Sequence, residues 1–251
     1  MNSDDMRKPK VIDRITARAK RKGTNLKMRS DSWFRHREFY DSSGQPYHTF
    51  AFRAPQEISK AIDSVAEAPE KIFAVEFGPG RNTFIDRRPF KKRLFVDYSE
   101  QMLETLPFSL TGNGAALESA EKIHSDIRNV GKLGKRFGRF GLSVANEVLT
   151  HIPPEQRMFV VDSLAEKSDR IVITDRYGHI PGMAFMNVGN VGAEYVEHQA
   201  IAKRLVEKGF EVKVWLYPHG KNGSPESYFV ISAKKSKAPR ITETVEKTIR
   251  D

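Results

Sequence analysis

Ile72-Phe73-Ala74-Val75-Glu76-Phe77-Gly78-Pro79-Gly80-Arg81-Asn82 is the stretch on which the architecture turns. A short apolar run ends in an acid and breaks into a glycine turn. Gly78 and Gly80 let the backbone turn tightly and approach a ligand with no Cβ in the way. A second apolar run, Leu94–Val96, ends in Asp97, which lies 21 residues after Glu76. That is close to the offset at which an acid accepts ribose hydroxyl bonds. A third candidate strand, Lys122–Ser125, leads into Asp126. Acids closing three successive strands line one rim of a sheet, and ligands bind at the carboxyl rim of open α/β sheets. A dinucleotide fingerprint asks for a third glycine at position 83, beside a pyrophosphate, and the residue there is Thr83. The pattern favours a nucleoside-bearing cofactor over a dinucleotide.

Outward from this stretch, strands and helices alternate. Ile58, Ala61, Ile62 and Val65 fall at helical spacing after Pro55, which predicts a helix over 55–66. Further strands are expected at Ile72–Val75, Gly141–Ala145, Arg170–Thr174, Glu211–Leu216 and Tyr228–Ser232, and helices at Glu100–Leu106, Pro154–Lys167 and Ala193–Lys208. Several strands are apolar throughout, as central strands covered on both faces are. The fold expected is α/β: a Rossmann-like, doubly wound, seven-stranded mixed sheet with helices on both faces. It is mostly parallel. The turn-rich link 217–225 joins the last two strands with no helix between them, which implies an antiparallel edge hairpin. Ile241, Val245 and Ile249, at spacing four, suggest one surface helix in the polar tail.

Composition narrows the chemistry. At 251 residues, with 39% hydrophobic residues, the chain has the material for one α/β domain and appendages. It has no cysteine, which removes disulfides, thiolate metal sites and cysteine nucleophiles. No apolar run approaches a membrane span and no signal-peptide pattern opens the chain, so a cytoplasmic protein is expected. Asp4 and Asp5 weigh against a mitochondrial presequence. Residues 1–30 hold ten bases against three acids, or +7 of the net +10. Such an arm suits phosphate contacts, and equally suits a solvated tail. Residues 31–53 interleave Trp33, Phe34, Phe39, Tyr40, Tyr47, Phe50 and Phe52 with Arg35, His36, Arg37 and His48. They are read as a lid over the site, with stacking on RNA bases as the other reading. The organisation expected is a basic arm (1–30), an aromatic-rich segment (31–54), the main domain (55–235) and a polar tail (236–251).

Four motifs together resemble the class I S-adenosylmethionine (SAM)-dependent methyltransferases. They are Glu76-Phe77-Gly78-Pro79-Gly80, then Val96-Asp97-Tyr98-Ser99-Glu100-Gln101-Met102, then Ser125-Asp126-Ile127, then Asn146-Glu147-Val148-Leu149-Thr150-His151-Ile152-Pro153. The resemblance spans roughly Pro55 to Lys234. It implies SAM as cofactor, with Glu76, Phe77, Gly78 and Gly80 at the methionine end. It places Asp97 on the ribose, Tyr98 and Met102 beside the adenine, and Asp126 and Ile127 at the adenine edge. Asn146 and Glu147 would face the methionine amino group and the transfer site. Asn82 stands where the family has a third glycine, so Arg81 and Asn82 would meet the cofactor in their own way.

Methyl transfer from a sulfonium needs alignment and water exclusion, and a base only where the acceptor keeps its proton until attack. Candidates near the ends of strands four and five are His151, Tyr177 and His179, with Glu147 and Asp175 nearby. The absent cysteine rules out cytosine carbon-5 as acceptor. The Asn/Asp-Pro-Pro-Tyr signature of many exocyclic-amine enzymes is replaced by Asn146-Glu147-Val148-Leu149. Oxygen and nitrogen acceptors remain, with RNA ranked ahead of small molecules and then protein. The competing reading is an RNA-binding protein on an inactive methyltransferase scaffold.

Overall fold

The structure is a computed structural model and describes residues 55–79, 83–86, 88–106, 120–177, 196–217 and 227–246. The lid and arm segments, Gly80, Arg81, Asn82 and His179 lie outside these residues.

Eight strands form one sheet: β1 (Phe73–Phe77), β2 (Lys92–Asp97), β3 (Glu121–His124), β4 (Leu142–Asn146), β5 (Arg170–Tyr177), β6 (Phe210–Tyr217), β7 (Ser227–Lys235) and β8 (Arg240–Glu246). Their spatial order is β3-β2-β1-β4-β5-β7-β6-β8. The pairs from β3 to β5 are parallel, while β7 runs antiparallel to both β5 and β6. This is the Rossmann-like mixed sheet the sequence implied, with one strand more, β8, which places the β6–β7 hairpin inside the sheet rather than at its edge.

Among the described residues the α-helices are α1 (Pro55–Val65), α2 (Glu100–Thr105), α3 (Val130–Phe137), α4 (Pro154–Lys167) and α5 (His198–Glu207). Strand residues alternate between faces, so the sheet carries two cores. Ala74, Leu142, Val144, Val172 and Val230 pack with Ile58, Ile62 and Val65 of α1. Val75, Phe77, Ile171 and Ile173 pack with Leu133 of α3, Val160 and Leu164 of α4 and Leu205 of α5. Burial on both faces explains why these strands read as unbroken apolar runs.

Two expectations are corrected. Among the described residues the sheet has eight strands, because the segment read as a surface helix is β8, parallel to β6. Spacing-four apolar residues suggested a helix there, but Ile241, Thr242, Thr244 and Val245 are β-branched and fit a pleated edge better. Thr242 adds a hydroxyl bond to the Val212 carbonyl at 3.3 Å. The sheet therefore runs past residue 235, where the domain was expected to end. The second correction is α3, which the sequence reading did not place. Gly131 and Gly134 weaken its helix propensity, yet Val130 and Leu133 are buried and Gly138, at φ 85°, stops it. At Gly134 a Cβ would stand 2.8 Å from the Lys167 side chain, so glycine there lets α3 pack against α4. Among the described residues no helix is long and apolar enough to cross a membrane.

Candidate functional site

The winding of the sheet reverses between β1 and β4, because β2 and β3 lie on one side of β1 and β4 and β5 on the other. The crevice outside the carboxyl ends at such a switch point is the binding site of open α/β sheets. Most of the described candidate residues lie along this rim.

Gly78 leaves β1 at φ 62°, and its N–H donates to the Val96 carbonyl at 2.8 Å. The bond ties the turn to β2 one residue before Asp97. Glu76 is fully buried, and its carboxylate accepts from the N–H groups of Phe84 (3.0 Å) and Ile85 (3.2 Å). The acid expected at the methionine end thus shapes the loop that follows the turn. In that loop Thr83 and Asp86 are also buried, and neither the Thr83 hydroxyl nor either Asp86 oxygen has a hydrogen-bond partner.

At the end of β2, Asp97 Oδ1 accepts from the Ser99 N–H at 2.9 Å. Ser99 in turn caps α2, its hydroxyl accepting from the Met102 N–H at 3.2 Å. Asp97, Tyr98 and Met102 are therefore brought together by one capped helix start. The His124 ring meets the Tyr98 carbonyl at 2.8 Å, which fixes this segment against β3.

Asp126 is heavily engaged. Its Oδ1 accepts from the Arg128 N–H (2.8 Å), and its Oδ2 accepts from Arg128 Nε (2.9 Å) and a terminal guanidinium nitrogen (2.5 Å). Arg128 also donates to Gln156 Oε1 at 2.7 Å. Ile127 is buried in the short 3₁₀ turn that Asp126 caps.

Asn146 ends β4, and its Oδ1 accepts from the Thr174 hydroxyl of β5 at 3.0 Å. That bond fixes which way the amide lies. Glu147 follows with φ 50°, a left-handed conformation uncommon outside glycine. Its N–H donates to the Thr174 carbonyl at 2.8 Å, and its carboxylate pairs with Arg176 at 3.4 Å. Such strain at a strand end marks a backbone held in place by its surroundings.

Beneath this corner sits Asp175, fully buried, accepting from the Thr150 N–H and the Arg176 N–H at 3.0 Å each. Burial, and then the negative charge of Glu147, push its carboxyl up to about 7, against the pull of the two N–H bonds and Arg157. Each of its oxygens is already taken by one of these N–H groups, so it supports the Leu149–His151 turn rather than touching an acceptor. Arg157 holds the same turn by donating to the carbonyls of Leu149 and Ile152 at 2.9 Å each. His151 is half-buried in that turn, with its N–H on the Val148 carbonyl at 3.1 Å. Tyr177 closes β5 opposite Ser227 of β7.

Further along the rim, Tyr217 and Tyr228 stack with ring centroids 4.6 Å apart. Tyr217 donates to Glu57 of α1 at 2.9 Å. Burial raises both phenols above their ordinary value, so both stay protonated. This cluster was missed by the sequence reading, as were Thr83 and Asp86. Register across the hairpin, which pairs Tyr217 with Tyr228, could have found the tyrosines. Among the described residues no three carboxylates or imidazoles gather into a metal site.

No protein-family model and no curated protein sequence matches the chain. Solved structures do. Magnesium protoporphyrin IX methyltransferase from Synechocystis PCC 6803, with bound SAM, shares 15% identity at a TM-score of 0.59 and covers 82% of this chain and 97% of its own. The N-methyltransferase NodS from Bradyrhizobium japonicum WM9 shares 12% identity at 0.51, covering 73% and 97%. The methyltransferase domain of bacterial CtHen1-CN shares 16% at 0.50, covering 72% and 97%. At these identities the likeness is one of fold: the chain has the Rossmann-like fold of class I SAM-dependent methyltransferases.

Proposed function

We propose that the protein is a SAM-dependent methyltransferase acting on an oxygen or nitrogen acceptor. One observation carries this reading. The Gly78 turn, Asp97 and Asn146 sit at the carboxyl ends of three adjacent strands, β1, β2 and β4, across the switch point. The rim carries oxygen acceptors in Asp97 and Asn146, which suit a ligand bearing hydroxyl and ammonium groups. Solved structures of the same fold hold SAM or its demethylated product, S-adenosylhomocysteine (SAH).

In this reading Asp97 accepts the ribose hydroxyls, and Tyr98, Met102 and Ile127 flank the adenine. Asp126 meets the adenine edge once Arg128 gives way. The Gly78–Gly80 turn, with Phe77, Arg81 and Asn82, surrounds the methionine end beside Asn146 and Glu147. SAM supplies an already activated methyl on a sulfonium, so the protein's task is alignment and exclusion of water. Thr174 fixes Asn146, and Asp175 and Arg157 fix the turn that carries His151. Where the acceptor holds a proton, His151, Tyr177 and His179 are the candidates to take it.

For the acceptor class, the +7 charge of residues 1–30 supports RNA ahead of small molecules and protein. The second reading, an RNA-binding protein without catalysis, is favoured by the Arg128 bonds that already occupy Asp126. Methyl-labelled SAM incubated with the full chain and fractionated RNA, protein and small-molecule extract tests the first reading. Label in one fraction, lost in Asp97→Ala, supports it. No label, together with salt-dependent RNA binding that Asp97→Ala leaves intact, supports the second.

A further inference from the structure

We propose that Asp86, with Thr83, is the seat of the cofactor's α-ammonium group; this rests on the methyltransferase reading. Asp86 is 2% exposed, and neither of its carboxylate oxygens has a hydrogen-bond partner. Thr83 is fully buried, and its hydroxyl has none either. A buried carboxylate left unpaired is strongly unfavourable, and in native proteins such a group asks for an explanation.

Among the described residues, the donors close to Asp86 along the chain are already committed. Arg88, two residues on, gives its guanidinium to Asp63 (2.6 Å) and to the carbonyls of Phe84 (3.0 Å) and Ser59 (2.8 Å). The N–H groups of Phe84 and Ile85 are held by Glu76. The two acids therefore divide the work. Glu76, the acid in the glycine motif, is used up in shaping the loop. The loop it shapes carries Thr83 and Asp86, whose three oxygens lack a partner, directly after the turn at the switch point.

The ligand chemistry follows from this set. For a divalent cation the pair would be one charged ligand alone, and among the described residues no three carboxylates or imidazoles gather to hold one. An alkylammonium presents three N–H donors and one positive charge, and a carboxylate with a hydroxyl three residues before it in the same loop answers it. A cofactor ending in an amino acid carries one such group, at its α-carbon.

The test uses the full chain and two ligands. SAH keeps the amino-acid end, whereas methylthioadenosine keeps the adenosine and thioether but lacks the ammonium. Titration calorimetry measures both against wild type, Asp86→Asn and the near-isosteric Thr83→Val, with melting temperatures of the ligand-free proteins alongside. The expected result has three parts. Asp86→Asn weakens SAH about tenfold or more, as loss of a charged hydrogen bond does. It leaves methylthioadenosine unchanged. It also melts higher than wild type without ligand, because an unpaired buried charge has been removed. Thr83→Val weakens SAH by a smaller factor in the same ligand-selective way. Equal weakening of both ligands, no weakening of SAH, or a lower ligand-free melting temperature in Asp86→Asn each overturns the proposal; the last would reveal an ion pair to a base elsewhere in the chain. Wild type that binds neither ligand overturns the methyltransferase reading itself.

Discussion

Val148 Cγ2 stands 2.6 Å from the point that a Cβ on Gly78 would occupy. The loop after β4 thus closes directly on the turn after β1, and the two halves of the winding meet there. Gly78 is needed twice over: for its φ of 62° and for the room it leaves Val148.

Gly78→Ala is therefore expected to destabilise the protein by about 1–3 kcal/mol, through backbone strain and overpacking together. Urea denaturation measures it. Pairing the change with Val148→Ala removes the clash but keeps the strained φ, so the double variant should recover part of the loss relative to the sum of the singles. Strict additivity would show that the close approach of the two residues carries no energy.

Arg128 occupies both lone-pair directions of Asp126 Oδ2, while the Arg128 backbone N–H uses Oδ1. Arg128→Ala keeps the backbone bond and frees Oδ2. If Asp126 meets the adenine amino group, SAH affinity should rise severalfold, since an amine no longer competes with a guanidinium. Calorimetric titration decides the matter. A fall in affinity would instead make Arg128 part of the binding surface.

Much of this was legible in the chain, for identifiable reasons. Strands β1, β2, β4 and β5 are buried on both faces, so they announce themselves as apolar runs between turn signals. Asp97 was readable because a strand end, a capping serine at Ser99 and a helix follow one another in sequence. Asp126 lies two residues past the end of β3, as the cap of a short turn rather than at the strand end itself, and its pairing with Arg128 depends on rotamers that spacing does not encode. The same holds for Glu76 and Asp86: both are acids near one turn, and only three-dimensional accounting shows which one is satisfied. β8 was misread because an edge strand buries little, and its polar sequence hides the β-branched pattern.

Deleting residues 1–30 removes +7 of charge. If the arm touches phosphates, the plot of log affinity against log salt for a single-stranded RNA should flatten by about 0.7 for each phosphate the arm had neutralised. Fluorescence anisotropy at several salt concentrations measures the slope. An unchanged slope would mean that the arm does not touch RNA.

Asp175 makes stability depend on pH, and the sign can be worked out. Its folded pKa of about 7 lies above its ordinary value of 3.8. The folded state therefore binds the proton more tightly than the unfolded chain does. The resulting stabilisation is complete below the unfolded pKa and is lost as pH rises through the folded one, for a total of at most roughly 4 kcal/mol. Glu147 and Arg157 face the group and share in the titration. Wild type should thus lose stability from about pH 4 to about pH 7. Asp175→Asn removes this slope, but its amide offers one acceptor where two N–H groups, of Thr150 and Arg176, now find one each. Leaving one of them unsatisfied costs about 1–3 kcal/mol at every pH. The variant should be clearly less stable than wild type at the acid end, and the gap should narrow or reverse at the alkaline end. Denaturation midpoints across this range measure both curves. Parallel curves would show that Asp175 is ionised throughout, and that the Thr150 turn is held by a charge rather than by a shared proton.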